Sequence, residues 1–361
     1  MFADAPRILI YSAPFYPLLG GMERYAEDLA SGLAELGYDV QLATRTPPGP
    51  QADADRFSFR VLRIARAREL AAAMLRNDLT LFVGLTVLDV MLAMLLLRRF
   101  VVTHHGVYSL HGDTRRFSKG TVKRWMPRFF ANISVSHYLA SCLAGRHTVI
   151  HNGYRDDLFV PGNAARPPGS FIFVGRLVSD KGAELLVRGF ARLHAARPQA
   201  RLTIVGEGPE RAALVQLAAT LGCDDAIVFA GGQPSEEVAR LLSRHQCQVV
   251  PSVSEEPFGI VALEGLAAGC EMIVTRRGGL PEATGGFGWI VDASADAIHD
   301  AMSEVLAGRS MRREPAVSAF LRDHERLAVA GQYADALALL LPPRQWHDAR
   351  LRNAAAGRPP A

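Results

Sequence analysis

A chain of 361 residues, 49% apolar and 21% charged, is long enough to bury a sizeable core and suggests two domains of an ordinary soluble globular protein. Its four cysteines (Cys142, Cys223, Cys247, Cys270) lie far apart, which excludes a disulfide framework and a C-x-x-C pair and reads as reduced, mostly core thiols of a cytosolic protein. A net charge of +4 and a pI near 9.0 are mildly basic; they fit an acidic ligand, an anionic membrane surface or neither, and no nucleic-acid partner is expected.

The N-terminus MFADAPRILIYSAPF carries Asp4, a short apolar run and no basic region, so it reads as a first strand and not as a signal peptide, and the chain is expected to stay inside the cell. MERYAEDLASGLAELG follows with Tyr25, Leu29, Leu33 and Leu36 at helical spacing and Gly37 as its stop. DVQLAT, FRVLRI, DLTLFVG and FVVTHHG are further strand candidates. The apolar run Leu81–Leu97 is short for a bilayer span and carries Asp89 in its middle, so it reads as a buried strand, a turn and a helix.

Thr114 to Phe130 holds six Arg or Lys, four aromatic residues and no acid. That mixture suits an interfacial element with rings among lipid headgroups and cations on anionic lipid. It equally suits a solvated helix face with its rings turned into the core.

ANISVSHYLASCLAG and HTVIHNG close the first half, and the Pro- and Gly-rich stretch Val160–Ser170 marks the boundary. SFIFVGRL, ARLTIVGEG, AIVFAGG, CQVVPS and EMIVTRRGG are then strands alternating with helical patterns. The expected class is α/β, with two tandem Rossmann-like doubly wound domains facing a cleft: residues 1–163, residues 168–325, and a final helix with its tail over 326–361. Open α/β sheets bind ligands at the carboxyl ends of their strands, so function is sought on the loops that follow strands.

Several such loops carry chemistry. In SVSEEPFGIVALEGLAAG, Glu256 and Glu264 have seven residues between them. Pro257 favours a helix start near Pro257 to Gly259, with Glu256 in the loop and Glu264 about two turns in. On one straight helix the two would point about 80° apart, roughly 12 Å from each other. They suit separate grips on one extended ligand, with the amides of Phe258, Gly259 and Ile260 offered to an anion, or else a capping acid and a surface glutamate. FVGRLVSDKG puts Arg176 and Lys181 after the first strand of the second domain, where two cations can neutralise a diphosphate. Gly20 and Gly21 sit between the first strand and helix, where a backbone can approach a phosphate closely; neither G-x-G-x-x-G nor a P-loop is present. His104 and His105 end another strand and point in opposite directions, a poor metal pair of which one member can face the cleft.

Taken in order, these stretches resemble the retaining GT-B glycosyltransferases of family four, the glycosyl transferases group 1, over nearly the whole chain. The resemblance rests on Gly20–Gly21, His105–Gly106, Gly175-Arg176-Leu177 with Lys181–Gly182, Val205-Gly206-x-Gly208-Pro209, EPFGIVALEGLAAG and Gly278–Glu282. It implies a metal-independent, retaining transferase of hexosyl type with no cofactor, whose donor is a UDP- or GDP-linked sugar. It implies that Arg176 and Lys181 hold the diphosphate, with backbone at Gly20, Gly21, Phe258 and Gly259 completing the cradle. Glu256 would contact the transferred sugar, Glu264 the ribose, and His105 would stand beside the sugar; Gly206, Gly208, Pro209 and Gln233 would lie near the base. The acceptor would be a glycan or a lipid-linked sugar in cell-surface polysaccharide or lipopolysaccharide assembly, with the protein cytoplasmic or peripheral on the membrane's inner face. Two positions depart from the family pattern, Arg155 where an acid is usual and Glu271 where proline is usual. The rival readings are a glycoside hydrolase, which would not need Arg176 and Lys181, a sugar-nucleotide epimerase on the same plan, and a non-catalytic nucleotide-sugar binder.

Overall fold

The computed structural model describes residues 5–18, 20–50, 53–108, 119–163 and 165–341. It divides the chain into two compact units, one of Met1–Asn152 with Arg326–Ala361 and one of Gly153–Glu325. The division falls ahead of the Pro- and Gly-rich stretch that marks it in the sequence.

The first unit is built on a parallel sheet of seven strands: β1 (Arg7–Ser12), β2 (Asp39–Thr44), β3 (Arg60–Arg63), β4 (Leu79–Val83), β5 (Phe100–His104), β6 (Ala131–Ser134) and β7 (His147–Val149). Their order is β3-β2-β1-β4-β5-β6-β7. β1 and β4 are buried along nearly their whole length, as expected of strands covered on both faces. One face packs Ile8, Ile10, Leu42 and Leu81 against Leu29 and Leu33 of the helix Gly21–Glu35 and against Tyr333 and Leu337 of the helix Arg326–Ala338. These two helices approach closely at Gly32, where a Cβ would come within 2.6 Å of Ala330 Cβ. The other face packs Leu9, Phe82 and Val102 against Leu70 and Met74 of the helix Ala67–Arg76 and Val90 of the helix Val87–Leu95.

The second unit repeats the plan with β8 (Ser170–Val174), β9 (Arg201–Val205), β10 (Ile227–Gly231), β11 (Cys247–Val250), β12 (Glu271–Thr275) and β13 (Trp289–Val291). All are parallel, in the order β10-β9-β8-β11-β12-β13. Both sheets therefore reverse direction beside their first strand, between β1 and β4 and between β8 and β11. In doubly wound sheets that switch point is where ligands bind.

The run Leu81–Leu97 is, as read, a buried strand, a turn at Gly84 and a helix, and Leu88, Met91 and Leu95 of that helix face solvent. Asp89 is on the inward side, accepting hydrogen bonds from Tyr11 Oη at 2.8 Å and Arg45 Nη2 at 2.6 Å. The expected final helix is Arg326–Ala338; a shorter helix, Ala316–Arg322, precedes it, and the unit boundary falls between them. Of the basic aromatic segment, residues 114–118 lie outside the described residues, as do residues 342–361 of the tail.

Candidate functional site

The second unit brings Arg176, Lys181 and Glu256 to the loops at the switch point of β8 and β11, whereas Gln233 follows the edge strand β10. The chain leaves β8 through Gly175-Arg176-Leu177, makes a short turn over Ser179–Lys181, and enters the helix Ala183–Ala196 after Gly182. Gly182 is left-handed (φ +68°), and a Cβ there would lie 2.0 Å from Pro251 O. Only glycine lets this turn press against the segment that leaves β11. Val253 N–H completes the seam by donating to Asp180 O at 2.9 Å.

That seam brings Lys181 to Glu256. Lys181 Nζ donates to Glu256 Oε1 at 2.6 Å, and Ser252 Oγ donates to the same oxygen at 2.8 Å. Glu256 is held through its backbone as well: its carbonyl accepts from Gly279 N–H at 2.7 Å. Gly278 (φ +57°) lies so close beneath it that a Cβ would stand 2.1 Å from that carbonyl oxygen. Thr275 Oγ1 donates to Ser252 O at 2.6 Å and steadies the next residue in the chain of support.

The helix after Glu256 begins at Ile260, with Gly259 left-handed (φ +104°) as its N-cap. Glu256 is in the loop as expected, but Glu264 is only about one turn into the helix. The chain turns at Gly259, so the separation drawn from one straight helix does not apply. A Cβ on Gly259 would meet Leu280 Cδ2 at 2.4 Å, and Phe258 is buried beside the ring of His324. The N-terminus from Gly259 to Ile260 is thus anchored on one side by packing, with its amides available for an anion.

Arg176 is exposed between two backbone bonds, Gly175 N–H to Val205 O at 3.0 Å and Leu177 N–H to Glu207 O at 2.9 Å. The glycines opposite serve this zipper. A Cβ on Gly206 (φ +142°) would lie 1.8 Å from Gly175 O, and one on Gly208 would lie 2.2 Å from Leu177 O. Gly206 and Gly208 therefore have a packing role that the sequence reading did not assign: they fix the loop that presents Arg176, while Pro209 after them is exposed. Gln233 is exposed after the edge strand β10, its Nε2 donating to Ala230 O at 2.5 Å.

In the first unit, His104 and His105 separate as alternation on a strand requires. His104 is fully buried, with Nε2 2.9 Å from Asn132 Oδ1 and Nδ1 3.2 Å from Tyr108 Oη. Asn132 Nδ2 donates to Pro127 O, which leaves its Oδ1 to accept from His104 Nε2–H. Burial lowers the His104 pKa to about 4. His105 lies against the ring of Tyr25, with centroids 4.1 Å apart, and its Nε2 is 2.8 Å from Thr103 Oγ1. Burial, with a smaller contribution from neighbouring His104, lowers its pKa to about 3, so its imidazole is neutral at physiological pH.

Gly20 and Gly21 differ from each other. A Cβ on Gly20 would lie 2.4 Å from Glu23 Oε2, whereas nothing stands within 4 Å of one on Gly21. The Glu23 carboxylate covers Gly20, and Gly21 offers the open backbone. Both line a cavity of about 300 Å³ with Tyr16, Arg24, Glu27 and Arg56.

The two departures are accommodated locally. Arg155 forms a two-pronged pair with Asp157 at 2.8 and 3.2 Å. Glu271 accepts from Ser310 Oγ and Met311 N–H, tying the start of β12 to a loop. Ser252, Thr275 and the Gly278–Gly279 pair are the supporting residues that sequence reasoning missed. They stand in PSVSEEPFG and EMIVTRRGG, but contacts across about 20 residues of chain cannot be read from spacing.

The chain is similar to known proteins along most of its length. Residues 155–320 match the family model described as Glycosyl transferases group 1, and residues 19–158 match that described as Glycosyltransferase Family 4. The chain is 29% identical over 331 residues to a glycogen synthase of Mycobacterium tuberculosis, covering 77% of this chain and 80% of that one. It is 37% identical over 153 residues to a D-inositol 3-phosphate glycosyltransferase of Mycobacteroides abscessus, covering 38% of this chain and 33% of the other. Its fold is shared with HepE of Anabaena, solved in complex with UDP, at a TM-score of 0.78 and 17% identity over 92% of this chain and 99% of that one.

Proposed function

The chain belongs to the glycosyltransferases of family four, the glycosyl transferases group 1, and from that membership we propose that it moves a hexosyl unit from a nucleoside-diphosphate sugar to an acceptor hydroxyl with retention of configuration. The observation that carries the proposal is the contact of Lys181 with Glu256 at the switch point of β8 and β11. A cation for the leaving diphosphate and a carboxylate for the sugar's hydroxyls stand side by side where a nucleotide sugar changes from one to the other.

The chemistry follows from charge. As the bond from the anomeric carbon to the diphosphate breaks, its electron pair goes to the phosphate oxygen. Arg176, Lys181 and the amides at Phe258, Gly259 and Ile260 stabilise that growing negative charge. An ammonium has three N–H donors; Glu256 takes one and fixes the direction of the others. The acceptor oxygen bonds to the same carbon from the leaving-group face, and its proton passes to the departing phosphate. In this reading His105 supplies a neutral imidazole to the sugar, Glu264 holds the ribose, and no metal or cofactor takes part. The base is UDP- or GDP-type; the UDP found with HepE supports the first.

The acceptor in this proposal is a glycan or lipid-linked sugar of a bacterial cell surface. The protein attaches peripherally to the cytoplasmic face of the membrane through the basic aromatic segment around Trp125 and Phe129. Among the described residues no helix is long and apolar enough to cross a membrane. A thermal-shift screen against UDP, GDP, ADP and their sugars tests the donor: one nucleotide should raise the melting temperature and its sugar should do so further. Nucleoside diphosphate released only when an acceptor is present distinguishes transfer from epimerisation, which would isomerise the donor alone.

A further inference from the structure

The helix Val87–Leu95 turns an apolar stripe to solvent. Leu88 is 80% exposed, Met91 54% and Leu95 80%, and their spacing of three and four residues puts them on one face. The helix ends in a Schellman arrangement, Arg98 N–H to Ala93 O and Leu97 N–H to Met94 O. The left-handed position of that arrangement, usually glycine, is Leu97, with φ +50° and 91% exposure. A leucine is thus held in an unfavourable backbone conformation while its side chain buries nothing in the fold.

The basic aromatic element lies beside this helix. The helix Lys119–Trp125 and the turn Met126–Phe129 follow β5 as Val87–Leu95 follows β4. β4, β5 and β6 are successive neighbours, so right-handed crossovers put both elements on one face of the sheet. Leu92 and Leu96 of the first and Met126 and Phe130 of the second pack on the same core of Phe82, Leu85 and Val90. Outward from that shared base stand Trp125, 58% exposed, and Phe129, 62% exposed, with Arg128 over the Trp125 ring at 4.1 Å. Arg99, Arg124 and Arg128 are exposed around them. From Val90 to Asn152 the chain has nine Arg or Lys and one acid, Asp113.

We propose that these two elements form one docking face for an anionic lipid bilayer, in which Leu88, Leu95 and Leu97 enter the acyl boundary beside Trp125 and Phe129 while the arginines meet lipid phosphates. This rests on the peripheral attachment proposed above and extends it to the helix Val87–Leu95. The choice of a bilayer over a second protein surface comes from the charge: leucine and aromatic side chains rimmed by cations with one acid in 63 residues match an anionic interface. The exposed Leu97 is explained by insertion and by no contact within the unit.

Flotation of the full chain with vesicles of phosphatidylglycerol and phosphatidylcholine, against phosphatidylcholine alone, tests the proposal. The wild type should float with the anionic vesicles and lose binding as salt rises. Leu88→Ser with Leu95→Ser should lower the partition at least about tenfold, with the UDP-induced melting shift unchanged. Leu97→Gly discriminates best: it should melt no lower than the wild type, since glycine suits that backbone, yet bind anionic vesicles about tenfold less. Wild-type binding by the leucine variants, with loss on Trp125→Ala and Phe129→Ala alone, overturns this inference and leaves the attachment through residues 119–130. Absence of vesicle binding by the wild type overturns both. A dimer in sedimentation that the leucine variants dissolve assigns the face to a second copy and overturns it too.

Discussion

Lys181 and Glu256, 75 residues apart in the chain, meet at 2.6 Å because the loops after β8 and β11 are neighbours at the reversal of the strand order. Each holds the other's head group, and under the proposed function the donor's diphosphate and sugar would join there. Lys181→Ala should therefore leave the fold intact and lower kcat about 100-fold or more. Glu256→Gln keeps the bond from Ser252 but loses the charge that aims Lys181, and the double variant should be far from additive. Nucleoside diphosphate release in the steady state measures all three; near-normal transfer by Lys181→Ala removes the mechanism.

The zipper between Gly175–Leu177 and Gly206–Gly208 makes a graded prediction. Gly206→Ala puts a Cβ 1.8 Å from a carbonyl oxygen at φ +142°, whereas Gly286, at φ +80°, has nothing within 4 Å. Gly286→Ala should cost about 1 kcal/mol from backbone strain alone. Gly206→Ala should cost about 3 kcal/mol or more and weaken nucleotide binding by displacing Arg176. Urea melts with and without UDP would show whether the two losses travel together.

The buried imidazole of His104 sets an acid limit on stability. His104 stays neutral in the folded chain down to about pH 4, while the ordinary pKa is 6.5. Below pH 6.5 the unfolded chain therefore binds more protons, so stability is full near neutrality and falls as pH drops toward 4. From His104 alone the loss should be roughly 2 kcal/mol between pH 7 and pH 5, and His104→Gln should flatten that slope in urea melts. His105, neutral above about pH 3, should add no limb to the pH dependence of kcat/KM between 5 and 8.

Asp89 is a buried carboxylate satisfied by Tyr11 and Arg45. Asp89→Ala strips both partners at once and should destabilise the first unit by about 1–2 kcal/mol, since Arg45 stays exposed to water and Tyr11 Oη alone loses its buried acceptor. Asp89→Leu should not restore stability, since Tyr11 Oη would still lose its acceptor. Thermal melts of the two variants decide this.

Strand and helix order, the two sheets and the loops that carry Arg176, Lys181, Glu256 and Gly259 were legible in the sequence, because period-two and period-3.6 patterns and punctuating glycines are local signals. The sequence also showed that Pro257 keeps Glu256 out of the helix. It could not show that Ser252, Thr275 and Gly279 hold that glutamate, nor that Gly206 and Gly208 serve Arg176. Those contacts depend on which strands are neighbours, and strand order is not written in any local period.

The run Leu81–Leu97 marks the same division from the other side. Its composition determined a strand and a helix, and Asp89 within it argued against a bilayer span. Which face of that helix meets water was decided by the tertiary structure alone. The sheet has room for Val90 and Ala93, while Asp89 is drawn in by Tyr11 and Arg45; Leu88, Met91 and Leu95 are left outside because a helix with apolar residues on every side can bury only the face its neighbours cover.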